Sequence, residues 1–548
     1  MSGTGFMEKL YQGRFDRTLF AAAVPGQNVG QVERLIADYH ALVAEYPPAQ
    51  LEEIGRVPPD MLKKMGERGF FGLTVPQQYG GLGLGLKDCM RVVEAVAPID
   101  LSLALVFLAH LFIGIKGIDL YGTEEQKRKY LSRAASGEMI FSYALTEPLT
   151  GSDARHIETR AELTEDGRYY ILNGTKTYIT NANYAGGLTV FAQLNPQKPG
   201  FMGAFIVETA WEGVEIGSDM PKMGLKASST ATIRLKDVRV PRENLLGAAG
   251  AGFKIALTVL HYGRMGLGAA SKGILDRTVR DMHDRARSRR QFGQPIIRFP
   301  LIREKIVKAQ VNAFVMGAMN DFSAVLLEKN PEETVIETSH CKLFGTTMAW
   351  ESLYDVLQVF GGSGYLSTQP HEKRMRDFRV TTIFEGTTEI HSIYPALLGM
   401  KQVGDALRNR SGPARLGFLA DAMVAVCRLA GWPAVPRDPV MKKALREAKK
   451  LARMIGFRLV VGVLVYGKTL IEREFLLRRV TTLSLYLFGI LAILAVKTHD
   501  GGEVGGLAPG ERELLSCFIE EAGQARKDHR RFSDSAREKR VNRADLES

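Results

Sequence analysis

Cysteine is scarce in this chain, with four residues among 548. The cysteines are far apart and no two form a CxxC pair, so we expect neither a disulfide framework nor a zinc site, and we predict no metal ligands. Isolated thiols of this kind are typical of a reducing, intracellular compartment. The four residues are Cys89, Cys341, Cys427 and Cys517.

The first residues, MSGTGFMEKLYQGRF, lack the features of a targeting segment. They contain no signal-peptide apolar core, and they are not amphipathic and rich in Arg and Ser. We therefore expect a chain that stays where it is made or has already been processed. In a bacterium this location would be the cytoplasm or the inner face of the membrane, and for a mature organellar chain it would be the matrix side of the mitochondrion.

Acidic residues are outnumbered by basic ones, which gives a formal charge of +12 and a pI of about 9.3. This balance favours an anionic partner such as a phosphorylated substrate, a membrane surface or nucleic acid. The sequence has no zinc finger, no RNP-like aromatic motif and no compact basic arm. We therefore expect no nucleic-acid partner.

Strand patterns are confined to one part of the chain. β-branched residues alternate with polar ones in segments 169–180, 187–194, 203–209 and 231–240. Within the first segment, Asn173-Gly174 predicts a hairpin turn. This block of strands lacks the strand–helix alternation of a dinucleotide-binding fold.

Helical periodicity dominates the sequence on both sides of the strands. The apolar stretch 105–122 contains His110 and Lys116 and predicts a buried core helix, not a membrane span. The length of the chain indicates three to four structural units. We predict an N-terminal helical domain (1–140), a middle β-domain (141–251), a helical bundle (252–400) and a C-terminal helical extension (401–548).

Five short strings carry groups that suit ligand chemistry. They are YALTEPLTGSD (143–153), KTYITNA (176–182), SRRQFGQP (288–295), LQVFGGSGYLSTQPHEKRMRD (357–377) and TTIFEGTTEIH (381–391). The first two offer hydroxyls and an aromatic ring for a planar heterocycle, and the next two offer arginines and glycines for a phosphate-bearing ligand. The last sets a lone carboxylate after an apolar pair. Taken alone, the first two strings are explained more readily by an ordinary loop and an ordinary half-buried strand, and the next two can be explained by a solvated charge pair and a helix-breaking turn.

Taken in order, the five strings resemble the acyl-CoA dehydrogenase family. The matching residues are Thr146-Glu147-Pro148, Gly151-Ser152-Asp153, Gly361-Gly362-Ser363-Gly364, Arg376-Asp377 and Glu385-Gly386-Thr387. The helical region beyond residue 400 resembles the very-long-chain branch of that family. The resemblance implies a mainly α fold with a central β-domain: an α-helical N-terminal domain, a β-barrel-like middle domain, an α-helical bundle and an extra C-terminal α-helical domain.

The resemblance also implies FAD as cofactor and a fatty acyl-CoA as substrate. Glu385 would be the catalytic base, and Ser152, Arg264 and Gly386 would contact the substrate. Because the family builds its FAD sites from two subunits, we expect a homodimer. The residues expected to contact FAD are Tyr143, Leu145, Thr146, Gly151, Ser152, Tyr178, Ile179, Thr180, Arg289, Phe292, Gln358, Gly361, Gly362, Thr387 and Glu389.

The implied reaction is α,β-dehydrogenation of a medium- to very-long-chain acyl-CoA to the trans-2-enoyl-CoA in fatty acid β-oxidation. Electrons would pass to an electron-transfer flavoprotein or a similar acceptor. Ile383 and Phe384 would form an apolar wall that raises the pKa of Glu385 and makes it a stronger base. Two alternatives remain: an acyl-CoA oxidase that uses O₂, and a non-catalytic scaffold protein of the same fold.

The C-terminal extension joins basic and apolar stretches. Segments 413–432 and 442–461 have apolar residues beside Arg and Lys. This pattern fits peripheral membrane contact, with the basic face on anionic lipid, and it fits equally a helix packed on the dimer body. The apolar segment 481–497 is slightly short for a membrane span, and we interpret it as a buried core helix.

Overall fold

The computed structural model describes residues 5–21, 28–411, 414, 417, 432, 436–499, 507–542 and 544. Cys427 and nearly all of the predicted amphipathic segment 413–432 lie outside the described residues.

The chain divides into two compact units. Unit one comprises Met1–Pro25, Arg287–Met348 and Gly386–Ser548, and unit two comprises Gly26–Ala286 and Ala349–Glu385. The four-domain division made from the sequence stays a prediction.

Helices make up most of the described residues. They are α1 (Phe6–Tyr11), α2 (Arg17–Phe20), α3 (Val29–Glu45), α4 (Pro48–Ile54), α5 (Pro59–Glu67), α6 (Leu86–Val96), α7 (Leu101–Leu108), α8 (Lys116–Tyr121), α9 (Glu124–Ala135), α10 (Gly252–Ser288), α11 (Pro300–Lys329), α12 (Val335–Phe360), α13 (Gly362–Tyr365), α14 (Pro370–Phe378), α15 (Thr388–Arg408), α16 (Pro439–Tyr466), α17 (Glu474–His499), α18 (Pro509–Asp528) and α19 (Ala536–Val541).

A mixed, eight-stranded sheet lies in unit two. Its strands are β1 (Ile140–Ala144), β2 (Arg160–Leu163), β3 (Tyr169–Thr180), β4 (Ala185–Gln193), β5 (Met202–Glu208), β6 (Val214–Ile216), β7 (Thr230–Pro241) and β8 (Leu245–Gly250). The order is β6-β7-β3-β2-β4-β5-β8, with β1 parallel to β4. The predicted mainly α fold with a central β-domain is confirmed. A short hairpin of β9 (Arg290–Gln291) and β10 (Gln294–Pro295) belongs to unit one.

The predicted hairpin at Asn173-Gly174 is wrong. Both residues lie inside β3, where the pairing with β7 shifts register between Leu172 and Gly174. The Asn173 side chain donates to Asp237 on β7 at 2.9 Å and accepts its backbone N–H at 2.8 Å. A Cβ on Gly174 would lie 2.3 Å from Oγ1 of Thr159. Gly174 therefore allows a β-bulge and the close approach of Thr159, and it does not form a turn.

The apolar stretch predicted as one core helix is buried but not uniform. A π-helical segment, Ala109–Gly114, separates α7 from α8. His110 within it is fully buried, and its Nδ1 accepts the backbone N–H of Phe141 at 2.9 Å. Burial lowers the pKa of His110 to about 4, so the ring is neutral. A π-helical turn re-aims side chains and is frequent at functional sites.

In unit one, the N-terminal helix α1 is packed among much later parts of the chain. The ring of Phe6 meets Phe322 edge-on at 5.2 Å. The hydroxyl of Tyr11 hydrogen-bonds to Ser484 on α17 at 2.5 Å, and the backbone N–H of Met7 donates to Oε1 of Glu337 at 2.7 Å. These contacts make α1 part of the core of this unit.

The extension contributes α16, α17 and α18 to the same unit. Three described stretches are long and apolar enough to cross a membrane by length and composition: Leu101–Tyr121, Pro439–Glu472 and Glu474–Thr498. Their most apolar windows are 89%, 39% and 78% buried, respectively. The first and third are therefore core helices, which confirms the prediction for 481–497. The second exposes much of its apolar surface, including Phe457 and Val465.

Candidate active site

Glu385 stands on a strained turn between a 3₁₀ segment, Arg379–Thr382, and α15. Its φ of +58° is in the left-handed region that side chains other than glycine rarely adopt. Such a backbone costs about 1–3 kcal/mol and is concentrated at functional sites. Gly386 follows with φ +98°, and Thr387 caps α15 by accepting the N–H of Ile390 at 3.3 Å. The predicted turn at the lone acid is confirmed.

The Glu385 carboxylate lies against the backbone of Gly263 on α10. An ideal Cβ at Gly263 would be 2.8 Å from Oε2 of Glu385 and 2.9 Å from a methyl group of Ile113 in the π-helical segment. Ile383, expected in the apolar wall, is instead 50% exposed. Gly263 and Ile113 therefore lie near the carboxylate, although the sequence separates each of them from Glu385 by more than a hundred residues.

Arg264, the expected substrate-pocket arginine, is buried beside this acid. Its Nε donates to the backbone carbonyl of Glu385 at 3.4 Å, and its Nη1 lies 3.3 Å from Nδ1 of His261. Burial and the charge of Arg264 hold the pKa of His261 well below its usual range. A neutral His261 can accept the Arg264 hydrogen bond through Nδ1. The arginine therefore holds the peptide of the acid.

In unit one, the carbonyl of the next residue is also held by a buried cation. Lys342, on α12, donates from Nζ to the carbonyl oxygen of Gly386. A Cβ on Gly386 would lie 2.6 Å from Nε2 of His391, whose Nδ1 hydrogen-bonds to Ser339 at 2.6 Å. Position 386 therefore requires glycine, because its φ is positive and because a Cβ would collide with the His391 ring.

The first motif begins at the end of β1. Tyr143 donates from its hydroxyl to the carbonyl of Ala256 at 3.1 Å and packs against Phe191 with ring centroids 5.0 Å apart. Burial and then the charge of Glu385 raise the pKa of Tyr143 well above its usual value, which places that ring near the acid. Leu145 is buried, whereas Gly151 and Ser152 are exposed, and a Cβ on Gly151 would meet no atom within 4 Å.

The second motif is less regular than an alternating strand. The β3–β7 register shifts between Lys176 and Ile179, and Tyr178 has a φ of +58°. Tyr178 is 67% exposed, whereas Ile179 is buried in the sheet core. Thr180 is partly buried and pairs with Thr230. The bulge turns the Tyr178 ring outward, and Ile179 can reach a ligand only through its backbone.

Six further residues expected to contact FAD are exposed, three in unit two and three in unit one. In unit two, Gln358 is exposed near the C-terminal end of α12. A Cβ on Gly361 or on Gly362 would meet no atom within 4 Å. In unit one, Arg289 is exposed, and Phe292 at the tip of the β9–β10 hairpin is 92% exposed with φ +48°. Also in unit one, Thr387 caps α15, whereas Glu389 in its first turn is exposed.

Within unit two, the structure brings together Glu385, Arg264 and Tyr143. The sequence reasoning missed Gly263 and Ile113 beside the acid, and it missed a buried ion pair between Lys176 and Glu147 beneath the two cofactor motifs. The signal for that pair was a lysine at a core position of a strand, since an unpaired buried lysine is costly. No sequence signal predicts that Ile113 lies near the acid, because the direction of its side chain depends on the π-helical segment.

Three family models match in order: the acyl-CoA dehydrogenase N-terminal domain over residues 33–138, the middle domain over 142–238 and the C-terminal domain over 250–394. The chain belongs to the acyl-CoA dehydrogenase family, as its resemblance to that family predicted.

Individual relatives refine this comparison. The very long-chain specific acyl-CoA dehydrogenase of Bos taurus mitochondria is 35% identical over 493 residues, covering 86% of this chain and 75% of the relative. An acyl-CoA dehydrogenase from Bacillus anthracis, solved in complex with FAD, is similar with a TM-score of 0.81 and 28% identity over 97% of this chain and 94% of that chain. Butyryl-CoA dehydrogenase from Megasphaera elsdenii covers only 68% of this chain at 29% identity, although all of that chain is matched, with a TM-score of 0.64. The long Bacillus chain thus also covers the extension.

Proposed function

We propose that this enzyme oxidises fatty acyl-CoA thioesters to trans-2-enoyl-CoA, with FAD as cofactor and Glu385 as the base. The observation that carries the proposal is the placement of Glu385. Its carboxylate lies beside Gly263 and Ile113, and its peptide is held by the buried Arg264. A general base needs this combination of fixed position and limited hydration.

The side chains and glycines in the expected places fit FAD. Tyr178 and Phe292 expose aromatic faces on which a flavin or adenine ring can stack. Gly151, Gly361 and Gly362 leave open space beside their backbone, which suits close approach of a pyrophosphate. Arg289 supplies an exposed guanidinium for phosphate oxygens. The bound FAD supplies the hydride acceptor for the β-carbon of the substrate.

Residues of the chain itself carry out the proton transfer from the α-carbon. Glu385 takes the α-proton of the thioester, and the close packing of its carboxylate against Gly263 holds it in one position. Within unit two, Arg264 donates to the carbonyl of Glu385, which limits rotation of the peptide that follows the acid. In the family the backbone N–H of the catalytic glutamate hydrogen-bonds to the thioester oxygen, where negative charge develops as the proton leaves.

Two finer assignments follow from the family branch. We infer medium- to very-long-chain substrates, because a relative specific for very long chains matches over most of both chains. We infer an electron-transfer flavoprotein or a similar carrier as electron acceptor, since fatty acid β-oxidation by the family delivers electrons in that way. Because FAD sites in the family draw on two subunits, the working form is a homodimer.

Peripheral membrane contact through the extension is a further part of the proposal. Residues 401–548 contain 27 Lys and Arg against 17 Asp and Glu, and so hold ten of the twelve surplus positive charges. A groove of about 510 Å³ between α16 and α18 is lined by Lys443, Arg446 and Lys527, among others. Exposed apolar side chains such as Val465 lie farther along α16. Basic and apolar surface together favour the face of an anionic membrane, on the cytoplasmic or the matrix side.

Anaerobic titration of the purified protein with acyl-CoAs of increasing chain length tests this function. We expect the visible absorption of bound flavin to bleach, most rapidly with long chains. Reoxidation is then followed with an electron-transfer flavoprotein and with O₂, and peroxide is measured. Rapid peroxide formation would support the oxidase alternative, and bound flavin that no acyl-CoA bleaches would support the scaffold alternative. Sedimentation with anionic and with neutral vesicles tests the membrane contact separately.

A further inference from the structure

Lys176 is completely buried in β3, immediately before the bulge that carries Tyr178. Its ammonium group donates to Oε1 of Glu147 at 2.7 Å and to the backbone carbonyl of Leu145 at 3.2 Å. The second acceptor lies in the motif expected to face the flavin. One lysine of the strand therefore reaches both a side chain and the backbone of the neighbouring loop.

Glu147 in turn fixes the base of that loop. Oε1 of Glu147 accepts the N–H of Thr159 at 3.0 Å, and Oε2 accepts the N–H of Glu158. The backbone of Glu147 pairs with Thr150 at 3.0 and 3.1 Å, which closes a tight turn. Leu149 at the tip of this turn is 83% exposed. The loop thus has a rigid, buried base and a tip that is free to meet a ligand.

A backbone hydrogen bond runs beside the ion pair. The N–H of Thr177 donates to the carbonyl of Thr146 at 2.9 Å. The residue after Thr177 is Tyr178, whose positive φ turns its ring outward. The loop 143–152 is therefore joined to Lys176 and Thr177, the two residues before Tyr178, by one ion pair and by hydrogen bonds to the carbonyls of Leu145 and Thr146.

We propose that Lys176 and Glu147 are positioning residues that clamp the loop 143–152 to the strand presenting Tyr178, and so fix the flavin ring between these two segments. The inference rests on FAD binding as proposed above. It assigns a role to two residues that do not themselves touch the cofactor.

Stability alone is a poor reason for such a pair. Taking two charges out of water costs several kcal/mol per ion in real proteins, and apolar replacements of similar volume are often neutral or stabilising. Burial lowers the pKa of Lys176 to about 8. Burial also acts to raise the pKa of Glu147, but the charge of Lys176 and the hydrogen bonds to the carboxylate together outweigh it and lower the pKa of that carboxyl. Both groups are therefore charged near neutral pH. The contribution of the pair is to fix the position of the loop relative to the strand.

The test compares Lys176→Met, Glu147→Gln and the double variant with wild type. Each single change leaves one buried group without its charged partner, which lowers thermal stability, whereas the double variant removes both charges. Asn244→Leu is the matched control, because Asn244 is buried in unit two and donates to Ile206 and Tyr130, which belong to neither segment. The measurements are the midpoint of thermal unfolding of the apoprotein, the Kd for FAD and the absorption spectrum of bound flavin.

We expect the double variant to regain most of the lost thermal stability but to bind FAD roughly tenfold or more weakly than wild type, with an altered flavin spectrum. The control should lose stability and keep the wild-type flavin spectrum. A double variant with wild-type Kd and spectrum would overturn the clamp. Wild-type protein that binds no FAD would instead overturn the proposed function, so the two failures are distinguishable.

Discussion

The Cα of Gly263 and the carboxylate of Glu385 are in such close contact that there is no room for a side chain between them. A Cβ at position 263 would stand 2.8 Å from Oε2 and 2.9 Å from Cδ of Glu385. Carbon atoms at these distances from a carboxylate require one group to move. The absence of a side chain on α10 is therefore what allows the acid its place.

Gly263→Ala should displace the Glu385 carboxylate and lower the rate of flavin reduction by about tenfold to a hundredfold, because small misplacements of a catalytic group are costly. The rate is measured by stopped-flow bleaching with a saturating acyl-CoA. Gly523→Ala on α18 is the control, since a Cβ there meets nothing within 4 Å. That variant should keep its activity and gain up to about 1 kcal/mol in stability. Unchanged flavin reduction in Gly263→Ala would contradict the contact.

Glu385→Gln should keep the fold and bound FAD and lose dehydrogenation, with a rate at least about 10²–10⁴-fold lower. The amide is close in shape to the carboxylate but cannot take the α-proton. Asp405→Asn on the exposed side of α15 removes a negative charge without this effect. A Glu385→Gln protein that bleaches with acyl-CoA at the wild-type rate would exclude Glu385 as the base.

Arg264→Lys tests whether a guanidinium is needed at the turn. A lysine keeps the charge but cannot reach the Glu385 carbonyl and His261 with the same planar fork. We expect kcat to fall about tenfold while the Kd for FAD stays unchanged. Arg128→Lys on the exposed face of α9 is the control. Equal losses of FAD affinity and kcat would show that the arginine supports the whole site and not the acid alone.

Glu337 predicts a pH dependence of stability. Burial raises its pKa from 4.5 to about 7 in the folded chain, while its carboxyl still accepts the N–H of Met7. Folding between these pH values takes up a proton, so stability falls as pH rises from about 4.5 to 7 and then levels off. The total loss is on the order of 3 kcal/mol.

Glu337→Gln keeps an oxygen for Met7 and removes the titration. Urea unfolding across this pH range should therefore show the variant gaining on wild type up to pH 7 and holding that advantage above it. A constant difference between the two proteins at every pH would mean that Glu337 does not titrate in this range.

The sequence predicted the elements whose signals are local. The strand at 169–180 has the predicted bounds, and the burial of its side chains alternates over its first residues, before the register shifts. The turn at Glu385 was readable from the neighbouring glycine and threonines. The core character of 105–122 and 481–497 was readable from their apolar length.

The failures arose where tertiary contacts override local chemistry. Asn173-Gly174 carries a turn signature, but Thr159 lies too close to Gly174 for any side chain, and the dipeptide forms a bulge instead. Ile383 adjoins the acid in sequence and is half exposed, whereas Ile113 reaches the acid by way of a π-helical turn. A contact between residues that are far apart in the sequence produces no periodic pattern from which it could be predicted.

The packing of α1 has a consequence for the way the chain is made. Tyr11 leaves the ribosome 473 residues before its partner Ser484. At about 5–20 residues per second, this interval is roughly half a minute to a minute and a half. Throughout that time the buried face of α1, including Phe6 and Leu10, has no native partner on α17. The nascent α1 helix is therefore a natural client for a chaperone, and a truncation that removes α17 would leave the same apolar face of α1 exposed.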